Sequence, residues 1–450
     1  MASSSGEDTL DELREFIQRC PVVDNHAHNI LRPRQLKTAD FLTITTEASG
    51  EALEDARKSL PHLRAVKQLR TLYDLPEDAD WPAIVGKRVE LLERDAGALM
   101  KKCFEGTATI LVDDGLDSGE NIESYSWHDQ YTHSPCKRIV RIETVAADIL
   151  SDLHQQGKLP IGVAIADEEA CSLGWVSFIT EFEQAILAAL SDDQVVGFKS
   201  VICYRTGLDV LTGRDFEVTE EGLRSFRKHY LPDCVTRNFR VEAKGMNDAL
   251  VISACKLIAA SVQQSGTAKP LQFHTGLGDN DINLLDSNPA CLQPLITAFP
   301  NVPIVLLHSS YPYTREAGYL ATVYKNVYLD IGEVFPMVSR SGQGQIVRQA
   351  FELTPFSKVL WSTDGHHFPE TYWLANLQGR QALEKVICGF VQAGDLSVLE
   401  AREAVADVLY NNSNKLYGLG LSPPVVAKDT QPDPTESNVS IPDRSLANSS

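Results

Sequence analysis

Short apolar runs alternate along the chain with longer stretches of helical spacing. The runs lie at residues 21–28 (PVVDNHAH), 108–114, 138–143, 195–205, 270–275, 302–309, 327–331 and 358–363. They are rich in Val, Ile and Leu and mostly lack the in–out alternation of a one-sided sheet, as parallel strands covered on both faces do. Between them lie helical patterns such as ETVAADILSDLHQQG (143–157), DALVISACKLIAASVQQSG (248–266) and LANLQGRQALEKVICGFVQAG (374–394). Gly157 and Gly266 stand where helix C-caps belong. Eight strands alternating with helices predict an α/β fold, a closed (β/α)8 TIM barrel. An open doubly wound sheet is the competitor, but no glycine-rich phosphate loop follows the first strand.

The first strand-to-helix connection, residues 29–107, is too long for a simple loop. Helical patterns at 51–70 and 81–102 predict a helical insertion after strand 1, lying over the barrel mouth. Pro, Ser, Asp and Asn dominate at the other end, which predicts a barrel domain over 1–420 and a disordered tail over 421–450. There are no internal repeats.

Charge narrows the function classes. The 450 residues carry a formal net charge of −20, so phosphate backbones and anionic lipid are repelled. The expected partner is a small-molecule substrate, with no nucleic acid and no membrane, and a homo-oligomer remains open. By inspection no run approaches the roughly 18 apolar residues of a membrane span. The N-terminal MASSSGEDTLDELREF lacks the basic and apolar regions of a secretory signal. The nine cysteines are scattered with no CxxC pair, as reduced cysteines in a cytoplasmic protein are.

Candidate chemistry gathers at strand ends. In Asp24-Asn25-His26-Ala27-His28 the two imidazoles are two residues apart on a strand, so they project together and are able to share a metal, with zinc the expected ion. Asp24 has the same parity and is placed to orient them. Two histidines on one strand are more often packing residues than ligands. However, His274 ends PLQFHT, His308 ends PIVLLH and Asp364 follows KVLWST. Each closes an apolar run at the edge that is the catalytic face of a barrel enzyme, and packing alone does not account for all five.

This pattern resembles the amidohydrolase superfamily, with HxH on strand one, His on strands five and six, and Asp on strand eight. FHTGLGDNDINL, HSSYPYTREAGYLATVYKNVYLDIGEVFP and WSTDGHHFPETYWLA are similar to the amidohydrolase domain of FluG-type and nodulin-type proteins, which is often fused to a glutamine-synthetase-like domain. The resemblance runs to about Leu421. It implies His26, His28 and His274 as metal ligands, with Asp364 ligating or taking a proton from the attacking water. It also implies His308 as the group that stabilises the developing oxyanion.

Lys199 lies mid-strand in VVGFKSVICYR. A buried lysine needs a partner or a chemical role. It either pairs with Asp113 or Glu143 or, as in some superfamily members, is carboxylated and bridges two metals; one ion is favoured over two. Arg141 and Glu143 share a strand face and would make a structural ion pair. Arg205 and Glu47 are candidate holders of opposite substrate charges, and His367 is a candidate pocket residue. The reaction implied is hydrolysis of a C–N amide bond, with a γ-glutamyl amide as the leading substrate class. Rival readings are non-oxidative decarboxylation of an aromatic acid on the same metal site and a non-catalytic scaffold with a vestigial site.

Overall fold

Every one of the eight apolar runs forms a strand: β1 Val22–Ala27, β2 Thr107–Asp113, β3 Lys137–Arg141, β4 Val195–Ser200, β5 Leu271–Phe273, β6 Ile304–Leu306, β7 Val327–Asp330 and β8 Val359–Leu360. The structure, a computed structural model, describes residues 9–424 apart from 117–118, 163–166, 233–238 and 267. The strands pair in parallel and in sequence order from β1 to β8. Just past β8, Asn25 N–H donates to Trp361 O at 3.0 Å and Asp364 N–H to His26 O at 3.1 Å, which ties the last strand to the first. The result is a (β/α)8 TIM barrel. Its strand residues are almost all buried, because helices cover the outside and side chains fill the inside.

Some runs end as strands sooner than their apolar composition suggests. Glu143 already belongs to the helix Ile142–Gln155, and residues 202–204 form a 3-10 turn after β4. The helix Lys244–Ser265 stops at Gly266, whose φ of 76° is left-handed, as the C-cap reading requires. Two shell helices correct the expectation about apolar length: Glu168–Ser191 and Lys244–Val262 are long and apolar enough to cross a membrane. In the first, Trp175, Phe178, Phe182 and Ile186 are buried in the main core, so barrel packing accounts for that side of the helix. All described cysteines are free thiols.

The insertion after β1 is helical, with a 3-10 segment Gly50–Lys58 and helices Leu60–Leu72 and Trp81–Cys103. It has its own apolar cluster, including Phe41, Leu69, Ile84 and Phe104, which also takes in Phe368 and Tyr372 beyond β8. A buried charge pair pins the two parts together. Arg88 Nε donates to Glu370 Oε1 at 2.7 Å and Nη1 to Leu36 O at 2.7 Å. Its guanidinium lies 4.4 Å from the Phe41 ring centroid and 5.0 Å from that of Phe368. Tyr73 donates its hydroxyl to the same Glu370 oxygen. Glu370→Gln would leave the Arg88 charge buried and unpaired. It is expected to lower unfolding free energy by about 3–5 kcal/mol in denaturant titration; a loss below about 1 kcal/mol would contradict the clamp.

At the other end, Leu421 and Ser422 are still held: Asn414 Nδ2 donates to Leu421 O at 2.7 Å and Tyr410 Oη to Ser422 O at 2.9 Å. The rest of the expected tail, 425–450, lies outside the described residues.

Candidate metal centre

The C-terminal edge of the barrel gathers the candidate ligands in two adjacent sets. His26, His28 and Asp364 form one; His274, His308 and Glu333 form the other, the ligand atoms of each set lying within 4.8 Å of one another. Asp364 Oδ1 is 3.4 Å from His26 Nε2 and 3.5 Å from His28 Nε2. His308 Nδ1 is 3.6 Å from Glu333 Oε2 and 4.0 Å from Asp364 Oδ2. The His274 and His308 ring centroids are 4.3 Å apart. His274 thus groups with His308 and Glu333 rather than with the first set.

Hydrogen bonds fix which nitrogens face the centre. Gln272 Nε2 donates to Asn25 O, which only accepts, so Gln272 Oε1 is the atom 2.9 Å from His26 Nδ1. An amide oxygen cannot donate, so His26 carries its proton on Nδ1 and turns the Nε2 lone pair inward. His28 Nδ1 donates to Asp113 O at 2.9 Å, with the same consequence. His274 Nε2 donates to Leu277 O at 2.7 Å and leaves Nδ1 as its lone pair. This is how supporting hydrogen bonds prepare imidazoles for a metal. Burial pushes the His26, His274 and His308 imidazolium pKa values well below the ordinary range, so the rings are neutral.

Three ligand atoms at this centre, Asp364 Oδ1, His308 Nδ1 and Glu333 Oε2, are buried with no hydrogen-bond partner. The two carboxylate oxygens among them, Asp364 Oδ1 and Glu333 Oε2, accept only; an unmet buried acceptor costs about 1–3 kcal/mol, and a divalent cation supplies what both lack. Neutral imidazoles with carboxylates are also a donor set suited to such an ion. The residues therefore fit a divalent metal.

Local backbone holds the ligands in unusual conformations. Among described non-glycine residues, positive φ occurs at His308 (67°), Ser309 (54°), Ser310 (47°), Glu333 (60°), Asp364 (51°) and His367 (57°), and elsewhere only at Asp74. Such strain concentrates where surrounding structure over-determines it. Here Asp330 Oδ2 accepts from His308 N and Gly332 N, both at 3.0 Å, and so ties the turns after β6 and β7 together. Asp24 accepts from the Thr363 backbone N–H at 2.9 Å and from its hydroxyl, which sets the residue before Asp364. Gly332 has no room for a side chain, since a Cβ there would meet Ser362 Oγ at 1.9 Å.

Lys199 is 1% exposed. Its Nζ lies 3.2 Å from His26 Nε2 and 3.4 Å from His308 Nε2, between the two sets. Neither carboxylate suggested for it is its partner. Asp113 is taken by Arg141, with Nη2 at 2.6 Å, and Glu143 accepts from Ser200 Oγ at 2.6 Å. The Arg141–Glu143 pair expected from strand parity is likewise replaced by Arg141–Asp113, because the neighbour across β2 and β3 is closer. Burial pulls the Lys199 ammonium down to about 8 against the pull of Asp113. Burial alone would raise the Asp113 carboxyl, but Arg141, together with His28 and Lys199, more than reverses this and holds it at about 2.

A cavity of about 440 Å³ opens above the centre, lined by Arg141, Lys199, His274, His308, Glu333 and Asp364, by Glu47 of the insertion, and by Arg205, His366 and His367. Both residues proposed to hold substrate charges thus face the cavity. Burial raises the Glu47 carboxyl to about 7. Arg205 is already engaged, with Nη1 at 3.2 Å from Asp281 Oδ2. Glu333 is the residue sequence reasoning did not assign. The signal was the same as for the others: a charged side chain just after an apolar strand run.

The fold and site define an amidohydrolase-2-like barrel. A model of the amidohydrolase family matches residues 269–419, which span β5 to β8. Protein fluG of Emericella nidulans is 51% identical over 423 residues, 93% of this chain. The chain spans about half, 48%, of that relative's length. Among solved structures, a protein of Lactobacillus casei ATCC 334 described as a metal-dependent hydrolase matches with a TM-score of 0.70 at 24% identity, over 92% of this chain and 98% of its own. Uronate isomerase of Bacillus halodurans C-125 matches with a TM-score of 0.59 at 13% identity, over 92% and 98%. The same enzyme of Thermotoga maritima matches with a TM-score of 0.60 at 13% identity, over 92% and 100%. At those identities the structural likeness speaks for the fold alone.

Proposed function

We propose that the chain is a metal-dependent amidohydrolase that cleaves a C–N amide bond, with a γ-glutamyl amide as the leading substrate class. The observation that carries this is the set of inward lone pairs on His26 and His28 and unpartnered buried carboxylate oxygens on Glu333 and Asp364 beneath one cavity. His26, His28 and Asp364 would hold a divalent ion, zinc being the expected one, while His274, expected as a further ligand, belongs to the adjacent set with His308 and Glu333. When bound, that ion supplies a Lewis acid for the carbonyl and water of lowered pKa. Asp364 takes the proton of the attacking water and returns it to the leaving nitrogen. His308 faces the substrate oxygen as negative charge develops there. Lys199, if carboxylated, would join the two ligand sets and allow a second ion.

Glu47 at the mouth suits a substrate ammonium. Arg205 reaches a substrate carboxylate only by exchanging its Asp281 partner. The 51% identity to Protein fluG supports the amidohydrolase reading and leaves the substrate as a proposal.

A panel of γ-glutamyl amides, simple acyl amides and hydroxybenzoic acids tests it, read by amine and carbon dioxide release. Amine release confined to the γ-glutamyl amides is expected. Carbon dioxide from the aromatic acids, or equal turnover of simple acyl amides, would contradict the reading.

A further inference from the structure

Three cations line the cavity: Lys199, Arg205 and Arg141. Lys199 is wedged between His26 and His308 at 3.2 and 3.4 Å. Arg205 Nη1 donates to both Tyr204 O and Asp281 Oδ2, and Asp281 is shared with Arg240 at 2.5 Å. The third is differently disposed. Arg141 ends β3, and its side chain is only 11% exposed. Asp113 grips one edge of the guanidinium, with Nε at 3.1 Å and Nη2 at 2.6 Å from Oδ2. Nη1 donates to no group among the described residues. A guanidinium held on one edge by a buried carboxylate is rigid, and its open nitrogen is prepared for a second acceptor without loss of side-chain freedom.

We propose that Arg141 is the specificity-determining residue that binds a substrate carboxylate. The ligand class is a short amino-acid-like acid whose carboxylate lies a few carbon atoms from the bond cleaved. The spacing follows from the ladder. Arg141 is the direct register partner of Lys199 on β4. Neighbouring strands are about 4.8 Å apart, so a carboxylate on Arg141 sits roughly one strand spacing from the Lys199 column and the metal ligands it touches. A glutamyl chain, whose α-carboxylate and γ-carbonyl are joined by a short saturated chain, is of that order of length. Glu47 lines the same cavity and leaves a place for the ammonium on the same substrate carbon.

This inference rests on the amidohydrolase reading for its substrate class, but its test does not need turnover. Calorimetry on the purified protein compares L-glutamate with L-isoglutamine, in which the α-carboxylate alone is replaced by a carboxamide. Native protein is expected to prefer glutamate by about 10-fold or more, since a site built for a charged acceptor leaves its donor poorly met by the amide. Arg141→Lys lacks the fork and should bring the two ligands within about threefold, whereas Arg205→Lys should leave the preference intact. If Arg141→Lys does not fold, Asp113→Asn combined with Arg141→Gln removes both buried charges together and serves in its place. No preference in native protein, its survival without Arg141, or its loss in Arg205→Lys would each overturn the proposal. Glutamate discrimination without cleavage of any γ-glutamyl amide would instead sink the hydrolytic reading and leave Arg141 as the carboxylate anchor.

Discussion

Asp364→Asn is expected to lose about 100-fold or more in turnover while the protein stays folded. Asparagine keeps the shape and the backbone contact, in which Asp364 N–H donates to His26 O at 3.1 Å. It removes the charge that faces His26 Nε2 and His28 Nε2 at 3.4 and 3.5 Å, and it cannot accept and return a proton. The side chain is also poorly placed to stabilise the native state, because its Oδ1 is buried with no hydrogen-bond partner. Stability and activity should therefore separate: thermal unfolding close to that of the native protein, with kcat collapsed. A variant whose kcat stays within about threefold would leave the proposed mechanism without its proton carrier.

How the turns around Asp364 are held explains why such a site stays assembled. The strained left-handed residues at His308, Glu333 and Asp364 come from three different strand ends. Asp330 binds the turns that carry His308 and Glu333 to each other, and Asp24 binds the residue before Asp364 to strand β1; neither carboxylate faces the cavity. Burial raises the Asp24 carboxyl to about 7, although the Thr363 hydrogen bonds pull the other way. Burial likewise raises Asp330 to about 6.

The barrel and most of the candidate site were readable because barrel chemistry sits where apolar runs stop. His26, His28, His274, His308 and Asp364 all interrupt or follow a Val-, Ile- or Leu-rich run, and all lie at the C-terminal edge. Glu333 obeys the same rule but was hidden by its backbone. It lies three residues beyond β7, and a left-handed φ of 60° turns it back to the centre, which no residue-type pattern announces. Pairings between strands were harder still. Parity along one strand put Arg141 with Glu143, but Glu143 starts a helix, and the adjacent strand supplies Asp113. A register shift between Asp24 and Ala27 also breaks strict alternation where the HxH pair sits. The insertion was recognisable as helical from its spacing. The Arg88–Glu370 clamp was not, because its partners are separated by 282 positions in the chain.

The central claim, that the two strand-one imidazoles hold a divalent cation, is tested most directly by elemental analysis of native protein beside His26→Ala. Both imidazoles turn an Nε2 lone pair toward Asp364 Oδ1, and ligand bonds of about 2 Å are within reach once an ion sits among them. The account predicts at least one tightly held divalent ion per native chain, lost in His26→Ala together with activity. Fully active native protein with no bound ion, or unchanged metal content in His26→Ala, would contradict it.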